Sequence, residues 1–292
     1  MRTRYAAFRL AQWLSGALPP SGAFGLAERL ADAQCRRSAE DRAAVAANLS
    51  HLRGSEPSAE LVREVFRNFG RYLVEFFTIH RVRHPAVSVS GAEHLDEIRR
   101  AGRGAIILTA HVGNWEVGAV VLRRMGLPLT VVALEHADAR MNQLFDRQRQ
   151  RCGLEVVSLG AHAAQHCLQR LREGRMIELL GDRDFMHNGL SVNLRGAPVT
   201  VPKGPAILSL RARVPVVPTF LIREGRWKFR LCLEPPLWPE RSGGGSSVDA
   251  FTQRYAKILE RYLTRYPEQW LMFRPMASSA QPLPAAGVAA YT

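Results

Sequence analysis

His111 and Glu116 are the two residues of this chain best placed to move a proton. They lie five positions apart in the stretch Gly104-Ala-Ile-Ile-Leu-Thr-Ala-His111-Val-Gly-Asn-Trp-Glu116-Val-Gly118. A histidine titrates near neutral pH, and a carboxylate that accepts the proton on one ring nitrogen leaves the other free to take a proton from a hydroxyl. Residues three or four apart share a helical face, but residues five apart do not. The pair therefore meets only if His111 lies in the turn before a helix and Glu116 in its first turn. Asn114 is a favoured N-cap type, and an acid at the second helical position suits the helix dipole. The spacing thus permits a folded-back His–Glu pair.

His-x4-acid is a weak signal when taken alone. Nine histidines and 26 acids in 292 residues give roughly 0.8 such pairs by chance. His51…Glu56 is one of them, set in a polar loop between two helical patterns. His111 differs in its context. The apolar run before it predicts a buried strand, Gly113 and Asn114 break the run, and Trp115 to Arg124 predicts a helix. Ligands of open α/β sheets bind at the carboxyl ends of strands. The competing reading is a strand-end histidine that is merely bonded in place.

Other stretches carry weaker chemistry. Gly181-Asp182-Arg183-Asp184 closes an apolar strand at the same sheet edge. A magnesium site there would want further oxygen ligands and a phosphate, so a structural or substrate-orienting role is expected. The Gly- and Pro-rich run from Asn193 to Pro205 leads into a helix start at Gly204, whose amides suit an oxyanion, but it lacks the Gly-Lys-Ser/Thr of a nucleotide loop. Arg140, Arg147, Arg149 and Arg151 form a basic helix end, read either as a solvated face or as a phosphate site. His162, His166 and Cys167 cluster without a second ligand pair, and read as a helix face rather than a metal site.

The elements that must hold these residues follow from periodicity. Residues 1–82 read as helices, broken at Pro19-Pro20-Ser21-Gly22, with a second pattern over 23–50 and a third from Ser58 to Phe77. Beyond Ala86 strands and helices alternate: strands at 87–90, 104–110, 129–134, 154–159, 176–180, 214–222 and 227–233, with helices between them. Repeated strand–helix units imply one α/β domain with a mixed, largely parallel central sheet flanked by helices, preceded by an N-terminal helical region. The last two strands are the candidates for an antiparallel pair. The expected division is a membrane-associating helical region over 1–82, a core over 83–274 and a disordered tail over 275–292, with Ser242 to Ser247 as a flexible loop.

The net charge is +14, carried by arginine, since the chain has only three lysines. It favours anionic partners such as phospholipid headgroups, phosphorylated glycolipids or an acidic carrier protein. No aromatic-interleaved basic run or zinc-finger spacing points to nucleic acid. Cys35, Cys152, Cys167 and Cys232 form no CxxC pair and fit a reducing compartment. There is no secretory signal, and no stretch reaches the ~18 apolar residues of a membrane span. Instead Tyr5, Phe8, Leu10, Trp13 and Leu14 alternate with Arg2, Arg4 and Arg9, as in a helix lying in a membrane interface or a first helix packed on the core.

Taken together, these stretches resemble the bacterial lipid A acyltransferases of the lauroyl/myristoyl type, and more widely the glycerolipid acyltransferases with a His-x4-acid motif. The resemblance covers roughly Arg37 to Arg274. It rests on Ala47-Asn48-Leu49, the Phe66…Tyr72 helix, Val89 to Leu95, Gly102 to Glu116, Asp182-Arg-Asp184, Val199 to Pro205, Arg213-Val-Pro-Val-Val-Pro218 and Gln269-Trp270. It implies His111 as general base and Glu116 as its orienting partner. A hydroxyl of lipid A or a related membrane glycolipid, or of an acyl chain on it, would attack the carbonyl of an acyl thioester carried by acyl carrier protein or coenzyme A. Asn114, Arg149, Arg151, Asp182 and Asp184 are the candidate substrate-binding residues. No metal or cofactor is implied. The expected location is the cytoplasmic face of the inner membrane, with peripheral attachment because no transmembrane helix opens the chain. Alternatives are a thioesterase or hydrolase using the same dyad, a transferase acting on a phospholipid, a mannosylated phosphatidylinositol or a specialised lipid, and a non-catalytic membrane-binding protein.

Overall fold

The computed structural model describes residues 2–160, 162–239 and 247–276, with side chains from residue 5 onward. Most of the expected loop at 242–247 and of the expected tail lies outside these residues.

Four helices come first: α1 (Arg2–Ala17), α2 (Pro20–Arg37), α3 (Ala39–Arg53) and α4 (Ala59–Thr78). The sequence pattern over 23–50 is two helices rather than one. Ser38 interrupts it in an extended conformation, and its hydroxyl accepts from the Asp41 amide at 3.3 Å, the local bond that lets serine start a helix. Ser58 caps α4 in the same way, accepting from Leu61 at 3.2 Å. Along α4, Val62, Val65, Phe66, Phe76 and Phe77 fall at helical spacing and are buried.

The α/β part runs β1 (Ala86–Ser90), α5 (Ala92–Ala101), β2 (Ala105–Thr109), α6 (Trp115–Arg124), β3 (Leu129–Ala133), α7 (Ala139–Arg151), β4 (Glu155–Ser158), α8 (Ala163–Arg172) and β5 (Met176–Leu180). A hairpin follows, β6 (Leu190–Leu194) and β7 (Ala197–Val201), where the sequence pattern assigns no strand. Its turn places Arg195 and Gly196 at positive φ. Then come α9 (Gly204–Ala212), β8 (Val216–Gly225), β9 (Lys228–Leu233) and α10 (Val248–Arg265).

Seven strands form one sheet in the order β1-β9-β8-β2-β5-β3-β4. All pairs are parallel except β8–β9, as the short Trp227 turn between them requires. Side chains of alternate parity build two cores. Ile107, Val131 and Met176 pack under α5 and α6 on one face. Ile106, Val132 and Ile177 pack under α8, α9 and α10 on the other. The crossovers β2–α6–β3 and β3–α7–β4 move outward, and β4–α8–β5 returns, so β5 is inserted between β2 and β3 and α8 lies on the opposite face from α6. The carboxyl ends of β2, β3 and β5 then converge where the winding reverses, the usual place for a site in such sheets.

Candidate active site

The pairing of β2 with β5 fixes the centre of the site. Their last paired residues are Thr109 and Leu180. Two residues beyond each lie His111 and Asp182, side by side and buried, 3% and 1% exposed. The Asp182 carboxylate accepts from the His111 ring through Oδ1, at 2.9 Å from Nδ1, and from the His111 amide through Oδ2, at 3.0 Å. Oδ2 also accepts from the indole N–H of Trp270 at 2.9 Å. Burial works against a charge on Asp182. The adjacent imidazole and these donors outweigh it and hold the carboxyl below the usual carboxylate range. With Nδ1 engaged, His111 Nε2 is buried and has no protein partner.

Glu116 is therefore not the residue bonded to His111. Asn114 caps α6 as expected, its Oδ1 accepting from the Val117 amide at 3.1 Å. This sends Glu116 toward α7 and not back to the ring. Arg149 donates to both Glu116 oxygens, Nη2 to Oε1 at 2.6 Å and Nε to Oε2 at 3.1 Å. Burial opposes the charge on Arg149, but Glu116 prevails and keeps it cationic. The backbone of the β2–α6 turn depends on one glycine. Gly113 has φ +68°, and a Cβ there would lie 1.9 Å from the Leu221 carbonyl oxygen, so no other residue fits without moving β8.

The remaining expected residues divide. Asn114 is buried, and its Nδ2 donates to Glu75 Oε2 at 2.7 Å, so both ends of its side chain are used within the protein. Arg151 is exposed and does not line the cavity described below. Asp184 does line it, and accepts from the amides of Met186 at 3.1 Å and Gly189 at 2.7 Å, shaping the loop after β5. Arg140 is paired with Asp138. His166 lies 3.5 Å from Glu155, and Cys167 faces the cavity with its thiol pushed up to about 11 by burial.

A cavity of about 310 Å³ lies over these strand ends. The β3–β5 ladder has its last pair at Val131 and Glu178, while β3 stays paired to β4 as far as Ala133 and Ser158. The cavity occupies this parting, with Val131 to Leu134 on one bank and Glu178 to Leu180 on the other, and so reaches both faces of the sheet. On the α6 side its wall is polar: Glu116, Arg149, His136 and Glu178. On the α8–α9 side it is apolar, with Ala163, Ala164, Leu168, Ile207 and Leu208, and it ends at Arg211, about 10 Å along α9 from Gly204. Arg183 and Lys203 add positive charge to the lining. His111 lines the cavity between Trp115 and Phe185, with ring centroids 4.9 and 6.3 Å away.

Three features escaped the sequence reading. Glu178 is buried in the middle of β5 with Oε2 unpartnered, and burial, reinforced by Glu116, pushes its carboxyl well above the usual range. An acid inside the apolar run Met176 to Leu180 was the available signal. Trp270 carries no local sequence signal of its bond to Asp182. A buried network behind the site was also missed: Arg223 donates to Glu75 at 2.7 and 2.6 Å and to Asn68 at 2.8 Å. The side chain of Gln269 in turn exchanges bonds of 2.9 and 3.0 Å with the Arg223 backbone. These partners come from α4, β8 and the C-terminal segment, distant in sequence and without a local pattern.

Comparison with known proteins places this geometry in context. A family model described as bacterial lipid A biosynthesis acyltransferase matches residues 3–276. A phosphatidylinositol mannoside acyltransferase of Mycobacterium tuberculosis is 29% identical over 241 residues, 78% of this chain and 74% of its own. The protein of the same description from Mycolicibacterium smegmatis is 29% identical over 239 residues, 78% of this chain and 77% of its own. A lipid A biosynthesis acyltransferase of Haemophilus influenzae is 24% identical over 191 residues, 62% of this chain and 56% of its own.

Proposed function

Because the chain belongs to the bacterial lipid A biosynthesis acyltransferase family, and is thus an enzyme that transfers acyl groups in glycolipid metabolism, we propose that it moves a fatty acyl group from a thioester to a sugar hydroxyl of a phosphorylated membrane glycolipid, with His111 as general base. The observation that carries this reading is His111 Nε2, buried and unpartnered on a ring that lines the cavity, with Nδ1 held by Asp182. The acceptor hydroxyl gives its proton to Nε2 as its oxygen attacks the thioester carbonyl. The tetrahedral intermediate then collapses, the C–S bond breaks, and the thiolate leaves with the proton that the imidazolium returns. Asp182 stabilises the transient positive charge on the ring. Glu116 and Arg149 act as a fixed pair in the wall that shapes the acceptor side.

The apolar wall between α8 and α9 suits the alkyl chain of the donor. The cationic lining residues Arg183, Lys203 and Arg211 suit the phosphate that both an acyl carrier protein and coenzyme A present. The relatives differ in acceptor, mannoside lipid in some and lipid A in another, so the proposal keeps to their shared chemistry. Among the described residues no helix is long and apolar enough to cross a membrane. Leu10, Trp13 and Leu30, 54%, 65% and 55% exposed on α1 and α2, provide an apolar face among arginines. This face supports peripheral attachment of the N-terminal region to an anionic surface, the cytoplasmic face of the inner membrane.

Lipid mass spectrometry tests the proposal. Cells lacking the gene would be complemented with wild type or His111→Ala, and their polar lipids and lipid A compared. A glycolipid one acyl chain lighter, restored by wild type alone, is the expected result. Unchanged lipids together with acceptor-independent release of fatty acid would establish a thioesterase instead. Full complementation by the alanine variant would remove His111 from the mechanism.

A further inference from the structure

The segment after α10 is bound to the turn that carries His111. Leu271 donates its amide to the His111 carbonyl at 2.7 Å, and Gly113 donates to the Gln269 carbonyl at 3.0 Å. Residues 269 to 271 are thus laid along the β2–α6 turn, with Val112 and Trp270 bridged in antiparallel sense. The Trp270 side chain turns into the core, 2% exposed, and its one polar atom finds Asp182 Oδ2.

The consequence lies in how the Asp182 carboxylate is divided. Oδ2 receives two donors, the His111 amide and the Trp270 indole, whereas Oδ1 receives the ring alone. A carboxylate on a single bond can rotate about its Cβ–Cγ axis, because that torsion is broad. Two donors converging on one oxygen from different segments stop the rotation and set the plane in which Oδ1 meets Nδ1. We propose that Trp270 is a positioning residue for acyl transfer, whose indole N–H, with the His111 amide, fixes the Asp182 carboxylate so that His111 is held with Nδ1 protonated and Nε2 bare toward the cavity. This rests on the reading of His111 as the base.

The clamp also governs proton affinity. Removing a donor from Oδ2 makes Asp182 more basic, so the His111–Asp182 pair keeps its extra proton to higher pH. Among the described residues, the other titratable groups that line the same cavity are Tyr72 on α4, Glu116 on α6, His136 and Arg149 before and on α7, Cys167 on α8, Glu178 on β5, Arg183 and Asp184 after it, and Lys203 and Arg211 at either end of α9, with Arg274 acting on Arg183. A substitution at Trp270 alters none of them.

The test is Trp270→Phe, beside a protein carrying benzothienylalanine at position 270, which replaces the N–H by sulfur and keeps the two-ring shape. Trp238→Phe is the control, since that indole bonds Glu97, outside the site. Both changes at 270 are expected to lower kcat by roughly 10-fold or more, the scale of a hydrogen bond to a charged group, with KM for donor and acceptor unchanged. The acid limb of the kcat profile moves to higher pH, and so does the midpoint of the His111 ring followed by nitrogen NMR without substrate. If the sulfur isostere keeps wild-type kcat, pH limb and ring titration, the proposal is overturned, whatever Trp270→Phe does to folding. If no transfer activity is found for wild type but the ring titration still shifts in the variants, the clamp stands and the acyltransferase reading is what has failed.

Discussion

Asp182 holds His111 at two points, Oδ1 on the ring nitrogen Nδ1 at 2.9 Å and Oδ2 on the backbone amide at 3.0 Å. The side chain that sets the tautomer therefore also ties down the backbone carrying the ring. Such a contact is possible because parallel strands end in register, so that residues equally far past Thr109 and Leu180 become neighbours.

Asp182→Asn should cost far more activity than its change in shape suggests. The Trp270 and His111 N–H groups would draw the amide oxygen to themselves and turn its NH2 toward Nδ1. That nitrogen would then have to accept, leaving the proton on Nε2 and no base facing the cavity. A rate loss of roughly 10²- to 10⁴-fold in thioester-to-acceptor transfer is expected. Glu116→Gln should leave the tautomer unchanged and affect acceptor KM more than the pH profile, a contrast that steady-state kinetics of the two variants would reveal.

The strand–turn–helix around His111 was legible in the sequence because each local signal agreed: an apolar run, a glycine at positive φ and an asparagine cap. The alternation of elements also carried the sheet class correctly. The partner of the histidine was legible only as a type of residue. Asp182 closes a strand at the same edge, but which acid reaches the ring depends on strand order, and β5 lies beside β2 only because the chain doubles back after β4. Glu116, nearer in sequence, is drawn off by Arg149 from the next helix. The hairpin β6–β7 was hidden for a different reason: its ladder runs through Pro198 and its turn through Gly196, whose local preferences favour loops.

Glu116 and Arg149 form a buried pair, with side chains 3% and 11% exposed. Truncating one partner strands the other charge, so Arg149→Ala should destabilise the fold by about 3–5 kcal/mol. The double variant Glu116→Leu, Arg149→Met should recover much of that loss in urea unfolding while leaving transfer activity low. An additive loss in the double variant would show that the pair is not coupled.

Glu178 makes the fold sensitive to pH in the direction opposite to Asp182. Its folded carboxyl titrates well above the ordinary range, so its favourable contribution is complete below the unfolded value of ~4.3 and is lost as pH rises toward the folded value. Asp182 has a lowered folded value, so its contribution is present above the unfolded ~3.9 and is lost as pH falls. Glu178→Gln should accordingly raise stability near pH 7 by about 1 kcal/mol or more. It should also flatten the decline of the melting temperature above pH 5. A variant equally or less stable at pH 7 would contradict a raised Glu178 carboxyl.

Gly113→Ala should be among the most damaging small substitutions. The left-handed backbone alone costs on the order of 1–3 kcal/mol for a side chain. The added methyl would also press the Leu221 carbonyl in β8, which accepts the Asn114 amide at 3.0 Å. Thermal melting and transfer rate should fall together, whereas Gly126→Ala, with positive φ but open space around it, should lose stability and keep its rate.

The parting of β3 from β5 has a kinetic corollary. A cavity lined from both the α6 side and the α8–α9 side of the sheet, with one imidazole in its wall, has room for two ligands together, without either having to leave before the other arrives. Cys167, the thiol in its wall, is held protonated by burial, so it does not stand ready to store the acyl group between two half-reactions. Turnover should then demand both ligands at once: initial-rate plots against one substrate at fixed levels of the other intersect rather than run parallel, and each ligand protects the enzyme whether or not the other is present.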